Sequence, residues 1–357
     1  MLLLLSASVD PLQSPTLLLS LVVLVGGFAL LLVGAHFLVD RATAVAHRLG
    51  VSPLAIGLTV IAFGTSAPEL ALNVVAAASS EAGAVLAFGN VVGSNIANIG
   101  LVLALACIVH PIVAHRNIRY VYYPLLLATE LLLLILASTN DKITYVDGII
   151  LLASLPVVLF VLHKAAKKSS NSDHAETVQP PKETSTTWSA IGMLALGLVM
   201  LIAGAQLAEM GAIDIARKAG LSEAVIGLTV VAVATSLPEC FAAIIAARRR
   251  QFDLAMGTVI GSNLFNILSV LAITSLVRPI PIPHDVGWES LIVMCIFTLA
   301  IGVIYIKRLM GRHNVDAAGG VSLGRLWGGL ILAAWIFTMV WYVWAGEQTS
   351  TIVAALR

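Results

Sequence analysis

Long apolar runs bounded by charge, proline and glycine recur ten times along the chain, near 16–39, 53–79, 84–109, 120–137, 145–163, 189–209, 223–247, 253–276, 288–306 and 325–345. Each approaches or exceeds the roughly 20 residues that a helix needs to cross a hydrocarbon core. Between the fifth and sixth runs lies KAAKKSSNSDHAETVQPPKETSTT, which is polar, rich in Ser and Thr, and holds a proline pair. Such a segment cannot bury enough apolar surface to order itself. The pattern therefore predicts an all-α membrane protein of ten transmembrane helices: five in residues 1–163, a flexible linker over 164–188, and five in 189–357.

Composition sharpens this into a class. Of 357 residues, 59% are hydrophobic and only 11% charged, against about 25% charged in an ordinary soluble domain. The net charge of +1 gives no electrostatic footprint for nucleic acid, and what matters is where the charges lie. With the N-terminus outside, the predicted inner loops hold Arg41, Arg48, Arg116, Arg119, Lys164, Lys167, Lys168, Lys182, Arg248, Arg249, Arg250, Lys307, Arg308, Arg312 and Arg325. The outer side holds only Lys142, Arg217, Lys218, Arg278 and Arg357. Because basic residues in short loops stay on the cytoplasmic side, both termini are expected outside and the linker in the cytoplasm of a cell membrane. The start, MLLLLSASVDPLQSPT, lacks a basic n-region and reads as a short leading tail. Cys107, Cys240 and Cys295 fall in apolar segments without paired spacing and read as small core residues.

Self-comparison shows a duplication. A shift of 170 residues lays AIGLTVIAFGTSAPELALNVVAA (55–77) over VIGLTVVAVATSLPECFAAIIAA (225–247), and a shift of 168 lays GNVVGSNIANI over GTVIGSNLFNI. Since each half holds an odd number of spans, the second enters the membrane from the opposite face. The halves are then inverted repeats, an arrangement that places a transporter's binding site at their interface near mid-bilayer.

Both repeats carry the same chemical oddity, GTSAPE in the first and ATSLPE in the second. A proline removes an N–H and clashes with the carbonyl four residues back, so the predicted helices break and free the carbonyls of Gly64 and Ala234. Glu69 and Glu239 follow directly, and an ionised carboxylate within the bilayer is costly unless something neutralises it. A hard cation resolves both difficulties, because carbonyls, hydroxyls and carboxylates are oxygen donors and Ca²⁺ takes about 6–8 of them. Thr65, Ser66 and Glu69 recur as Thr235, Ser236 and Glu239, while Ser94 and Asn98 recur as Ser262 and Asn266 at i,i+4 on one helix face. One proline kink with flanking hydroxyls would read as packing. Two copies, each with a glutamate and each followed by GSN, read as one shared site, and two carboxylates match one divalent ion.

AFGTSAPE with GNVVGSNIANI, and AVATSLPE with GTVIGSNLFNI, resemble the two alpha-repeats of the cation/calcium exchanger superfamily, in particular its prokaryotic-type sodium/calcium exchanger branch. The alpha-repeats would cover 55–104 and 225–272. The resemblance implies an antiporter rather than an enzyme, without a cofactor, whose substrates are Ca²⁺ and Na⁺ bound in alternation. Glu69 and Glu239 would serve both ions, and Thr65 and Thr235 would place backbone oxygens on Ca²⁺. Ser66, Ser94, Ser236, Ser262 and the carbonyls of Ala62 and Ala232 would serve Na⁺, with Asn98 lining the site. The family's coupling of three Na⁺ to one Ca²⁺ would move one net charge per cycle and let Na⁺ influx drive Ca²⁺ efflux. The Gly-rich first and sixth spans are the expected sliding elements.

One departure concerns coupling. Many relatives carry Asp where this chain has Asn266, and in potassium-dependent branches that acid accompanies K⁺ transport, so its absence argues against potassium dependence. The chain also lacks the glutamates expected of proton-coupled members in the third and eighth spans. Potassium or proton coupling and a cation channel stay open as alternatives, and no H-E-x-x-H motif supports an intramembrane hydrolase. Glu130 is opposed in the other repeat by Thr298 without a breaker and reads as a helix–helix hydrogen bond or protonated group. His36 and Asp40 read as an interfacial cluster, with a gate as the alternative. Asn73, one turn beyond Glu69, matches Ala243 and has no assigned role. The residues do not indicate an oligomeric state.

Overall fold

The computed structural model describes residues 16–49, 52–170, 187–220, 232–283, 287–304 and 321–355, and these are helical almost throughout. In chain order the helices are α1 (Leu17–Leu49), α2 (Pro53–Ser79), α3 (Glu81–Val109), α4 (Ile118–Asn140), α5 (Tyr145–Ser170) and α6 (Thr187–Lys218). They continue with α7 (Ala232–Thr235), α8 (Leu237–Arg248), α9 (Phe252–Val277), α10 (Gly287–Ile301) and α11 (Arg325–Ala355). Among the described residues, eight helices are long and apolar enough to cross a membrane, namely α1 to α6, α9 and α11. The protein is thus an all-helical, multi-pass membrane protein. Helix α10 is shorter, and the predicted seventh span is described only from residue 232, as α7 and α8. The leading tail and most of the predicted linker lie outside the described residues.

Four predicted boundaries move. Helices α1, α5, α6 and α11 run on to Leu49, Ser170, Lys218 and Ala355, past the expected ends at 39, 163, 209 and 345. Hydropathy drops at Asp40 and Arg41, but the buried stripe does not, since Ala42, Thr43, Ala44, Val45 and Ala46 all remain buried. A charge on the open face of a helix ends an apolar run without ending the helix.

Helices α2, α3, α8 and α9 pack against one another at the centre. The apolar windows of α3 and α9 are 83% and 89% buried, which marks them as interior helices with protein on all sides. Helix α11 covers α3 and α5 covers α9, while α1 and α6 lie along each other across the outside, α1 against α8 and α6 against α2. The contact between α1 and α6 repeats the sequence offset of 170. A Cβ on Gly34 would sit 2.9 Å from the backbone nitrogen of Leu201, and one on Gly204 would sit 2.7 Å from that of Leu31. Only glycine lets the two backbones approach so closely.

Two short antiparallel strand pairs tie the loops together. β1 (Ile112–Ala114) pairs with β4 (Val321–Leu323), and β2 (Lys142–Ile143) pairs with β3 (Ile280–Pro281). The 168-residue offset carries Ile112 of β1 onto Ile280 of β3, whereas it carries β2 to 310–311, outside the described residues, and not onto β4.

The expected pair of broken helices is realised only once. Helix α2 runs through Pro68 without interruption, whereas at Pro238 the chain turns at Ser236 and restarts, with Ser236 N donating to the Val233 carbonyl at 3.1 Å. Proline deletes one hydrogen bond and adds a clash, about 3 kcal/mol in a helix interior, and close packing of α2 against α3 and α9 is sufficient to hold the helix through it. At the second copy the proline lies in the first turn of α8, where its missing N–H has no helical partner to lose.

Candidate cation site

The central four-helix contact brings the two repeated motifs together. Glu69 on α2 and Glu239 on α8 are 4% and 1% exposed, and the two carboxylates are close enough to repel each other electrostatically. Ser94 on α3 donates to Glu69 Oε1 at 2.7 Å, and its repeat counterpart Ser262 on α9 lies 3.5 Å from Glu239 Oε1. Across the halves, Asn266 faces Glu69 and Thr65 lies beside Glu239. Each carboxylate is therefore flanked by groups from both halves of the chain.

Local backbone geometry positions these groups. Ser94 and Asn98 on α3, like Ser262 and Asn266 on α9, sit one turn apart just where each helix widens into π-helical turns, Asn98–Leu103 and Asn266–Leu271. Such widenings shift helical register and concentrate at functional sites. Thr65 Oγ1 donates back to the carbonyls of Ile61 at 3.0 Å and Ala62 at 3.3 Å. The Ala62 carbonyl, expected to face Na⁺, thus already accepts a local hydrogen bond. Ala232 begins α7, and Thr235 ends it one residue before the turn at Ser236. Ser66 lies to one side, where it lines a small cleft with Phe63, Ser269 and Phe265.

Several buried oxygens in this cluster have no hydrogen-bond partner among the described residues: Glu69 Oε2, Glu239 Oε2, Ser66 Oγ, Ser236 Oγ, Asn98 Oδ1 and Asn266 Oδ1. Leaving one buried polar group unmade costs about 1–3 kcal/mol, and more for a charge. Oxygens of this kind, two of them on carboxylates, are donors suited to a hard cation.

Two residues that the sequence reading passed over sit on the seam between the halves. Asn95 Nδ2 donates to the Asn263 carbonyl at 3.4 Å, and Asn263 Nδ2 donates to the Asn95 carbonyl at 3.3 Å. Asn98 Nδ2 adds a bond of 2.9 Å to Asn263 Oδ1. The exchange is reciprocal because the two asparagines are equivalents at offset 168. Their signal is the repetition of the asparagine in both copies of GSN.

The set-aside residues find partners elsewhere. Glu130 Oε1 accepts from Thr298 Oγ1 at 2.6 Å, as its repeat pairing suggested, on α4 and α10 and outside the central four helices. Asp40 forms an ion pair with Arg249, and His36 Nδ1 lies 2.8 Å from the Leu32 carbonyl, so neither belongs to the carboxylate cluster.

Known proteins share this plan. A family model described as sodium/calcium exchanger protein matches residues 19–164 and 189–344. CaxA of Alkalimonas amylolytica is 36% identical over 83% of this chain and 92% of its own. The sodium/calcium exchanger MaX1 of Methanosarcina acetivorans is 30% identical over 73% of this chain and 83% of its own. Among solved structures, the sodium-calcium exchanger NCX_Mj soaked with Na⁺ and Sr²⁺ superposes with a TM-score of 0.75 at 28% identity, covering 91% of this chain and 99% of that one.

Proposed function

This chain belongs to the sodium/calcium exchanger family, and from that premise we propose that it carries Ca²⁺ and Na⁺ in opposite directions through one alternately exposed site built on Glu69 and Glu239. The observation that carries the reading is the buried pair of carboxylates, one from each half of the chain, ringed by unpartnered oxygens from α2, α3, α8 and α9. Two negative charges neutralise one Ca²⁺ or two Na⁺. Ions compete for the same two acids, so occupancy by one species excludes the other, and that competition is the coupling. Without a cation the carboxylates repel each other in a low-dielectric interior, which opposes crossing of the unloaded protein.

At three Na⁺ per Ca²⁺, each cycle moves one charge, and a membrane potential supplies about 2.3 kcal/mol per charge per 100 mV. An inward Na⁺ gradient would then extrude Ca²⁺. The ten-span plan of two inverted five-helix repeats is part of this reading, with 1–163 and 189–357 as the repeats and 164–188 as a cytoplasmic linker. Both termini would lie outside. The strand pairs favour it, because β1 with β4 and β2 with β3 each join loops that alternate crossing places on one side. The remaining proposed ligands, Thr65, Ser66, Thr235, Ser236, Ser94, Asn98, Ser262, Asn266 and the carbonyls of Ala62 and Ala232, complete the sites for the two ions. Helices α1 and α6, joined through glycine contacts, form the body that slides across this core to switch access.

Reconstituted protein tests the proposal directly. Ca²⁺ uptake into liposomes should require an outward Na⁺ gradient and be absent with a K⁺ or pH gradient alone. Downhill Ca²⁺ entry without a counter-ion, or uptake driven by protons, would refute it.

A further inference from the structure

The seam between the halves holds two pairs of asparagines that the 168-residue offset relates, Asn95 to Asn263 and Asn98 to Asn266. The bonds to the backbone are symmetric: Asn95 Nδ2 donates to the Asn263 carbonyl at 3.4 Å, and Asn263 Nδ2 donates to the Asn95 carbonyl at 3.3 Å. The bonds between side chains are not. Asn98 Nδ2 donates to Asn263 Oδ1 at 2.9 Å, whereas the matching bond from Asn266 Nδ2 to Asn95 Oδ1 is unmade, and neither of its two buried atoms has a partner among the described residues. Asn95 and Asn266 are 0% and 1% exposed, so bulk water serves neither atom.

The reason is a competing acceptor. Asn266 faces Glu69, and because a carboxylate only accepts, the N–H side of the amide is the favourable one there. Yet Nδ2 completes no hydrogen bond to it. The Asn266 amide thus stands between Glu69 and Asn95 Oδ1, fully bonded to neither, while the backbone symmetry of the seam gives it the same reach to Asn95 that Asn98 has to Asn263. The surroundings of Asn95 and Asn263 also differ, since Asn95 Nδ2 lies 3.6 Å from Met294 Sδ, where the other half has Leu126 and no acceptor.

A cation on Glu69 decides between the two acceptors. It repels an amide N–H and attracts an amide oxygen, which is a hard donor. A ligand shifts an equilibrium only by its differential interaction with the alternatives, and these two settings present opposite ends of the amide dipole to the ion. We propose that Asn95 is a positioning residue for the cation site, and that Asn266 turns between two settings. In one, its N–H groups face Glu69; in the other, Nδ2 donates to Asn95 Oδ1 and Oδ1 faces the cation. Asn98 lacks this freedom, because Asn263 already holds its Nδ2. The inference rests on the carboxylate site of the antiport reading above.

Calorimetric Ca²⁺ titration of the purified full chain tests it. Asn95→Ala and Asn266→Ala should each weaken binding about five- to tenfold, the worth of one hydrogen-bond-sized contact, and the double variant should bind no more weakly than N266A alone. Losses that multiply in the double variant, or no loss in N95A, would overturn the proposal. Met294→Leu removes a neighbour of Asn95 Nδ2 without touching Oδ1 and should stay within about twofold. A loss there equal to that of N95A would mean that Asn95 serves packing alone. A second measurement needs no change at Asn95: in protein carrying isotope-labelled asparagine, Ca²⁺ should shift a side-chain carbonyl band in the infrared difference spectrum, and N266A should lack that shift. Identical difference spectra from the two proteins would overturn the turning of Asn266. Neither measurement uses transport, so coupled binding without Na⁺-driven Ca²⁺ uptake refutes the antiport and leaves this inference standing, and uptake with uncoupled binding does the reverse.

Discussion

Replacing Glu69 by Gln removes one unit of charge from the proposed site while keeping side-chain length, one oxygen acceptor and the reach to Ser94. The magnitude follows from burial. Glu69 and Glu239 are 4% and 1% exposed, so solvent screening does little to dilute the loss. Removing one partner of a buried charge pair costs about 3–5 kcal/mol, which corresponds to about two to three and a half orders of magnitude in Ca²⁺ affinity. Glu239→Gln should lose a comparable amount, because its surroundings repeat those of Glu69: a serine one helix away and a polar group supplied by the other half of the chain. Calorimetric Ca²⁺ titration of the purified variants, together with Na⁺-driven Ca²⁺ uptake in liposomes, reads both quantities. A loss below about tenfold in either variant, or a large loss in one with none in the other, would refute the shared site. The second outcome would mean that one acid holds the ion and its partner serves only the fold.

Three further outcomes are expected. Gly34→Ala and Gly204→Ala push a methyl group against the facing backbone and should destabilise by about 1–3 kcal/mol, lowering the melting temperature and slowing exchange. Gly26→Ala and Gly192→Ala meet nothing within 4 Å and should be neutral or slightly stabilising, which makes them controls in the same thermal-shift assay. Asn263→Ala breaks two hydrogen bonds on the seam, to the Asn95 carbonyl and from Asn98 Nδ2, and leaves the Asn98 amide unmatched, so it should lower thermal stability more than Ca²⁺ affinity at the carboxylates. Glu130→Gln keeps an acceptor for Thr298 and lies off the central four helices, so Ca²⁺ titration should detect less than about threefold change.

Much of this site is legible in the chain because the duplication filters the noise of a single motif. A lone proline with hydroxyls beside it means little in a membrane helix, but GTSAPE and ATSLPE at one offset select Glu69 and Glu239 from nineteen acidic residues. The i,i+4 spacing of Ser94 with Asn98 and of Ser262 with Asn266 likewise puts each pair on one face, from which Ser94, Ser262 and Asn266 approach the carboxylates while Asn98 bonds to Asn263. Less was legible where the answer depends on what packs alongside. Periodicity could not say that Pro68 stays within α2 while the chain turns before Pro238, since the local sequences are nearly alike and nothing in them accounts for the difference. Nor could it extend α1 past Asp40, because hydropathy falls at the charges while the small residues 42–46 are buried by packing that the average does not see. Asn95 and Asn263 were missed because their role lies in a bond between halves, which no spacing within one half encodes.

The near-symmetry of the two halves makes their departures informative. An inverted pair sharing one ion site would, if perfectly matched, present the same route on both faces, and only the gradients would distinguish inward from outward. This chain keeps the match at the proposed ion site, with glutamate against glutamate and serine against serine. It relaxes the match one turn away, where Asn73 and Asn90 stand against Ala243 and Thr258. On the proposed antiport a substitution at the shared carboxylates should change both faces together, because each transported ion would meet both acids. A substitution one turn outward can change one face alone, and a transporter working against unequal ion concentrations on its two sides has use for that freedom. Directional tuning by sequence should therefore concentrate in the rungs flanking the carboxylates, where the residues of the two halves differ.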